Sequence, residues 1–97
     1  MVNKIYDIIE DMEDELDGAK EYAEASIRCK DSENYAAAKL YVLMAEDEMT
    51  HFEKLEDMLK THIMSIEGEF KKFVTKKHSA LAHKYAEVKL LVDKASQ

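Results

Sequence analysis

Proline is absent from the chain, and glycine occurs only at positions 18 and 68. Tight turns depend on these two residues, so their scarcity disfavours an all-β fold with many short strands. Apolar residues make up 46% of the chain and charged residues 36%, a balance that is typical of long amphipathic helices. The 97 residues are enough for one domain, and we expect residues 1–97 to form a single all-α unit.

Apolar residues recur at steps of three and four along three segments. This periodicity predicts helices over residues 4–29, 33–65 and 69–94. The first break falls at residues 30–32, where Asp31 or Ser32 is a good N-cap for the second helix. Gly68 marks the only other break, and the second helix either ends near Ile66 or bends there and continues. We therefore predict an antiparallel helical hairpin over residues 1–66 and a C-terminal helix over residues 69–94.

Charge is unevenly distributed around a net value of −7. Residues 1–65 hold 17 acidic and 7 basic side chains, whereas residues 66–97 hold 4 acidic and 7 basic ones. The acidic body argues against nucleic acid as the main partner and favours cations. No apolar run reaches membrane-spanning length, and the first residues lack the apolar core of a signal peptide, so we expect a cytoplasmic protein. Cys29 is the only cysteine, which leaves no pair for a disulfide or a cysteine-ligated metal.

Three residues form a candidate metal-ligand group: Glu15, Glu48 and His51. Glu48 and His51 are three residues apart, so they lie one turn apart on the same face of a helix. Glu15 precedes the turn by about as many residues as Glu48 follows it. In an antiparallel pair the two carboxylates come level, each roughly 24 Å from the turn at 1.5 Å per residue.

The helix faces that hold Glu15 and Glu48 are largely small or apolar. Burying an unpaired, ionised carboxylate costs on the order of several kcal/mol of folding free energy. Two such carboxylates beside a histidine must therefore be neutral or share a cation. Gly18 lies on the same side as Glu15 and would allow the two helices to approach closely beside that cation. Oxygen-rich ligation with one imidazole suits iron(II) or manganese(II), and zinc less well.

Three ligands are half of a dinuclear carboxylate site. Such a site takes one glutamate from each of two helices and Glu-x-x-His from each of two others in a four-helix bundle. A homodimer of hairpins supplies the full set on its two-fold axis, which predicts a homodimer or a higher, even-numbered homo-oligomer. An intrachain route stays open, because His83 and Glu87 are four residues apart and could bind the metal if the third helix folded back into the bundle.

The segments Glu15-Leu-Asp-Gly-Ala-Lys-Glu-Tyr22 and Ala45-Glu-Asp-Glu-Met-Thr-His51 resemble the first half of a rubrerythrin. The resemblance covers roughly residues 10–60 and places the chain in the ferritin-like superfamily. It implies that Glu15, Glu48 and His51 ligate iron, that Glu48 bridges two irons, and that Tyr22 donates a hydrogen bond to a ligand carboxylate. The second Glu and E-x-x-H half of rubrerythrins and their rubredoxin-like domain are missing here. In its half length the chain looks more like the encapsulated ferritins, although no capsid-targeting extension follows Lys94.

Together these patterns predict a non-haem di-iron oxidoreductase of the ferroxidase type. It would oxidise iron(II) with dioxygen or peroxide, and Glu15, Tyr22, Glu48 and His51 would form the catalytic centre. A peroxide reductase of the rubrerythrin kind, with an external electron donor, is one alternative. A helical oligomer that binds metal only for assembly is the other.

Overall fold

A computed structural model describes residues 2–97, with only the backbone described at Val2. It contains three helices: α1 (Val2–Asp31), α2 (Tyr35–Ile63) and α3 (Gly68–Ala95). The all-α prediction is confirmed, and each predicted helix end lies within two residues of the observed one. Within residues 2–97, none of the helices is sufficiently long and apolar to cross a lipid bilayer.

The first turn differs from its prediction, because neither Asp31 nor Ser32 caps α2. Helix α1 continues through Asp31, and Asn34 is the N-cap, its side chain accepting a hydrogen bond from the Ala37 amide at 3.3 Å. The Asn34 amide donates to the Cys29 carbonyl at 2.7 Å, and the Glu33 amide donates to the Lys30 carbonyl at 2.9 Å. These two bonds form a Schellman motif, which requires the left-handed φ of 62° observed at Glu33.

The second turn separates α2 from α3 completely. Helix α2 ends at Ile63, and α3 begins at Gly68, whose φ of 69° lies in the left-handed region. A residue with a side chain is strained in that region, whereas glycine is not. The chain therefore ends one helix and reverses direction, rather than bending at Gly68 and running on.

Helix α3 packs along one side of the α1–α2 hairpin, parallel to α1. At one end Tyr6 contacts the rings of Phe70 and Phe73, with centroid distances of 5.8 and 6.0 Å. At the other end the Lys30 ammonium donates to the carbonyls of Ala95 and Gln97. Because these contacts lie near the two ends of both helices, α3 covers nearly the full length of the hairpin.

The core runs along the seam where the three helices meet. It is almost entirely apolar, and Ser26, the buried polar side chain of the described core, donates to the Ala38 carbonyl at 2.8 Å and so ties α1 to α2. The largest fully buried side chains are Ile5, Met12, Leu16, Ser26, Phe52, Leu59 and Val74.

The side of the hairpin opposite α3 has no covering element among the described residues. Leu40, Met44 and Met58 follow the apolar periodicity of α2, yet they are 62%, 41% and 44% exposed. Ala45, Phe52 and Leu59 follow the same periodicity and are buried, and Val42 and Met49 extend this buried stripe. We call the uncovered side, with Leu40, Met44 and Met58, the open face. The sequence pattern merged this face with the core because the two stripes are adjacent on the helix.

Candidate metal centre

Glu15, Glu48 and His51 come together on the open face of the hairpin. One carboxylate oxygen from each glutamate and one ring nitrogen of His51 all lie within 4.8 Å of one another. Glu15 comes from α1 and the other two residues from α2, so the centre spans the two helices of the hairpin. The predicted convergence of these three side chains is therefore what the structure shows.

The core positions of both helices hold these side chains in place. Glu15 follows the buried Met12 by one turn, and Glu48 lies one turn after the fully buried Ala45. The carboxyl groups therefore emerge at the edge of the packed core, where the Glu15 side chain is 23% exposed. His51, one turn further along α2, is 53% exposed and forms the outer side of the group.

Glu15 perturbs the carboxyl group of Glu48. A hydrogen bond with Glu15, together with burial and the negative charge of Glu15, raises the pKa of Glu48 from 4.5 to about 7. His51 acts in the opposite direction but does not reverse this shift of the Glu48 pKa. Two carboxylates this close share a proton when no cation separates them, because both cannot ionise freely. Near neutral pH the metal-free pair therefore retains a proton for part of the time.

One oxygen of the group lacks a hydrogen-bond donor. Glu15 Oε2 is buried and has no hydrogen-bond partner among the residues that the structure describes. The nearest ring nitrogen, His51 Nδ1, lies 3.4 Å away, which is within ion-pair range but long for an N–H···O hydrogen bond. A buried acceptor without a donor is costly, and a bound ion or a functional role is one of the explanations for such an atom in a native protein.

This arrangement fits a divalent cation. Carboxylate oxygens and histidine nitrogens bind such ions at about 2.0–2.2 Å, which places donors on opposite sides of one ion about 4.4 Å apart. The three ligand atoms of Glu15, Glu48 and His51 lie within 4.8 Å of one another, which is close to that distance. A cation would also satisfy Glu15 Oε2 and replace the proton that Glu48 retains. Two oxygens and one imidazole suit iron(II) or manganese(II), with zinc as a weaker match.

Tyr22 makes its contact with another aromatic ring rather than with a ligand carboxylate. Its ring stacks on Tyr41, with a centroid distance of 6.1 Å and an interplanar angle of 27°. Among the described residues its hydroxyl forms no hydrogen bond with Glu15 or Glu48. The role of Tyr22 as a hydrogen-bond donor to a ligand carboxylate stays a prediction.

Helix α3 does not supply the missing ligands. His83 and Glu87 pair with each other at 3.1 Å on the exposed side of α3, with side chains 80% and 69% exposed. The contacts of α3 fall on the opposite side of the hairpin, since Lys84 pairs with Asp17 at 2.5 Å and Tyr85 donates to Glu53 at 2.5 Å. Asp17 follows Glu15 by two residues and Glu53 follows His51 by two, which is about 200° around each helix. The intrachain route to a complete site is therefore wrong for this fold.

A second set of polar contacts was missed by the sequence analysis. His78 pairs with Glu56 at 2.8 Å, and burial together with Glu53 raises the pKa of Tyr85 to about 12. Phe52 stacks on Tyr85 with a centroid distance of 5.0 Å. These contacts join α2 to α3. Their spacing along the chain gives no indication of them, because they depend on the direction α3 takes after Gly68.

No protein-family model, curated protein or solved structure matches this chain. The ferritin-like resemblance therefore remains a prediction from the residues of the two motif segments. The interpretation of the centre rests on the geometry of Glu15, Glu48 and His51.

Proposed function

We propose that this chain is half of a dinuclear non-haem iron protein that oxidises iron(II) at a site shared between two copies. The observation that carries the proposal is the convergence of Glu15, Glu48 and His51, with a buried carboxylate oxygen that has no hydrogen-bond donor. Iron(II) is the substrate, and dioxygen or peroxide is the oxidant. Bound iron contributes one-electron redox chemistry, and the protein contributes its position and ligand field.

The electron balance calls for two irons. Each iron(II) gives up one electron as it becomes iron(III). Two of them reduce dioxygen to hydrogen peroxide with uptake of two protons, or reduce hydrogen peroxide to two waters with two protons. A centre built for this reaction needs enough carboxylates to balance two divalent ions. One chain offers two carboxylates and two chains offer four, which neutralise two divalent ions.

The side chains have distinct roles in this proposal. Glu15 Oε2 accepts no hydrogen bond from a donor in the described part of the chain, so its lone pair is available to a cation. Glu48 loses its retained proton as the cation arrives, since binding lowers the pKa of a ligating carboxyl group. His51 supplies a neutral imidazole nitrogen from the outer side of the group, where its exposure leaves room for the substrate to approach.

The apolar side chains of the open face favour the binding of a second copy. Leu40, Met44 and Met58 are exposed on α2, within about two to three turns of Glu48 and His51, and covering them would remove apolar surface from water. The molecule is also elongated, with extents of 53 × 18 × 15 Å and a radius of gyration of 15.5 Å. A compact chain of this length has a radius of gyration of about 12.5 Å. Two open faces packed together would give the four-helix arrangement in which such centres occur.

The activity is tested with iron(II) added under air to purified protein that has been stripped of metal. Wild type is expected to produce near-ultraviolet ferric absorbance faster than buffer, and Glu48→Ala is expected to fall to the buffer rate with unchanged helical circular dichroism. Glu46→Ala is the matched control, because Glu46 is an exposed acid on the same helix that is not part of the group. Equal rates for wild type and Glu48→Ala would refute the site assignment.

The shared site is tested by molar mass in solution. Met58→Lys puts a charge on the open face and is expected to give a monomer that no longer oxidises iron(II). Leu90→Lys, at a 72% exposed position on α3, is the control and should leave both properties unchanged. A monomeric wild type that binds two irons per chain would contradict the sharing. Peroxide consumption that depends on an added reductant would favour a peroxide reductase, and metal-dependent assembly without oxidation would favour a purely structural metal.

A further inference from the structure

Gly18 lies in the middle of α1, where a glycine is unfavourable. Glycine in a helix interior is markedly less stable than alanine, because it loses more backbone freedom on folding. Its φ is not in the left-handed region, so the helix does not require glycine for its backbone conformation. The reason for glycine at this position must lie in what surrounds it.

The space beside Gly18 is occupied by the Glu48 carboxyl group. A Cβ atom at position 18 would lie 3.0 Å from Glu48 Oε2, 3.4 Å from Cδ and 3.6 Å from Cγ. The first of these distances is shorter than an ordinary van der Waals contact between carbon and oxygen. Any larger residue at position 18 therefore pushes the carboxyl group of Glu48 away by a few tenths of an ångström.

We infer that Gly18 is the positioning residue of the centre, because its missing side chain leaves the space in which the Glu48 carboxyl group lies level with Glu15. This inference rests on the proposed metal function but adds a residue that is not a ligand. Gly18 lies one turn after Glu15 on α1, so the helix that supplies one ligand also makes room for the ligand from α2. Gly18 lowers the stability of the helix, but it leaves room for the two carboxylates to lie close together.

The experiment has one part that needs no metal. The melting temperature is measured for metal-free wild type, Gly18→Ala, Glu48→Ala and the double variant. When Glu48 is alanine, Gly18→Ala is expected to raise the melting temperature by about 4–8 °C, the gain from replacing a helical glycine in a domain of this size. When Glu48 is present, the same substitution is expected to raise it by less than half as much or to lower it. Equal gains in the two backgrounds would overturn the inference.

The second part measures manganese(II) binding from the electron paramagnetic resonance signal of the free ion. Gly18→Ala is expected to weaken binding about tenfold or more, as is typical when the support of a metal ligand is altered. Ala25→Gly is the control, since Ala25 lies two turns further along the same side of α1. It should lower the melting temperature and leave manganese(II) affinity within about twofold. Equal affinity of Gly18→Ala and wild type would overturn the positioning role.

The two parts separate this inference from the proposed function. If wild type binds no manganese(II), the metal function fails, while the melting temperatures still decide whether Gly18 makes room for Glu48. If wild type binds the ion and Gly18→Ala binds it equally well, the metal function stands and the positioning role is refuted.

Discussion

Replacing Glu48 by glutamine is expected to stabilise the metal-free protein at neutral and alkaline pH. Glutamine keeps nearly the shape of glutamic acid and can still donate a hydrogen bond to Glu15, but it never ionises. It therefore imitates the protonated form of Glu48 at every pH. The substitution also removes one of the two proposed carboxylate ligands, so a single change should raise the stability of the metal-free protein and abolish metal binding.

The pH dependence follows from the raised pKa of Glu48. In the folded chain this pKa is about 7, whereas its ordinary value is 4.5. Below pH 4.5 the group is protonated in both the folded and the unfolded states, and its contribution to stability is fully present. Between pH 4.5 and 7 the unfolded chain has released the proton and the folded chain still holds it, so the free energy of unfolding falls as pH rises. Above about pH 7 the contribution is lost.

The size of the effect is limited by solvent. A pKa shift costs about 1.4 kcal/mol per unit, which for a rise from 4.5 to about 7 gives roughly 3 kcal/mol as an upper bound. Because the group lies at the edge of the core, water and salt screen the repulsion, and we expect about 1–2 kcal/mol. In a domain of this size that difference corresponds to a melting temperature roughly 5–15 °C higher for Glu48→Gln at pH 8.

The assay is thermal unfolding followed by circular dichroism from pH 4.5 to 8, with chelator present and at one protein concentration. Wild type should lose stability relative to Glu48→Gln across this range, and the two should converge near pH 4.5. Glu46→Gln is the control and should run parallel to wild type. Parallel profiles for wild type and Glu48→Gln would refute the coupling between Glu48 and Glu15.

Three further predictions follow from individual contacts. Manganese(II) affinity should rise with pH up to about 7 and then level off, because the cation displaces the proton of Glu48. Calorimetry in two buffers of different ionisation enthalpy should detect the released proton, and a constant affinity from pH 5.5 to 8 would contradict this prediction. Gly68→Ala should destabilise the protein by about 1 kcal/mol and Glu33→Gly should stabilise it by about the same amount, because both positions have a left-handed φ. Urea unfolding measures both effects, and changes of the same sign in the free energy of unfolding would be inconsistent with the turn geometry. Ser26→Ala should lower the free energy of unfolding by about 1 kcal/mol, because the hydrogen bond to the Ala38 carbonyl is lost. Ser32→Ala, at an exposed turn position, should change it by less than about 0.5 kcal/mol. Equal effects of the two substitutions would show that the buried hydrogen bond contributes nothing.

The helices and the ligand group were predictable from the sequence for a simple physical reason. Residues equally far from the turn of an antiparallel hairpin come level, so Glu15 and Glu48 meet if both point to the same side. The turn is centred near residue 33, between Asp31 and Tyr35, about 1.5 residues later than predicted, which changes the relative level of Glu15 and Glu48 by only about 4.5 Å. Long side chains absorb a difference of this size.

The course of α3 was not predictable in the same way. Gly68 indicated a break, but nothing in the spacing of residues 69–94 specifies which side of the hairpin that helix covers. Pairs such as His78 and Glu56 become recognisable only once α3 is placed. The exposure of Met44 and Met58 was unpredictable for the same reason. The apolar pattern of a helix is the same whether a helix of the same chain or a second copy covers a methionine on it.

The position of α3 also bears on the proposed dimer. Since α3 packs against the side of the hairpin that holds Asp17 and Glu53, it shields the core without covering Glu15, Glu48 and His51. A fourth helix from the same chain is missing among the described residues, so the apolar open face and the group of Glu15, Glu48 and His51 lie on the same exposed side. One event, the docking of a second open face, would cover the apolar side chains and complete the ligand set. For this reason we expect variants that disrupt the dimer, such as Met58→Lys, to lose metal binding and stability together.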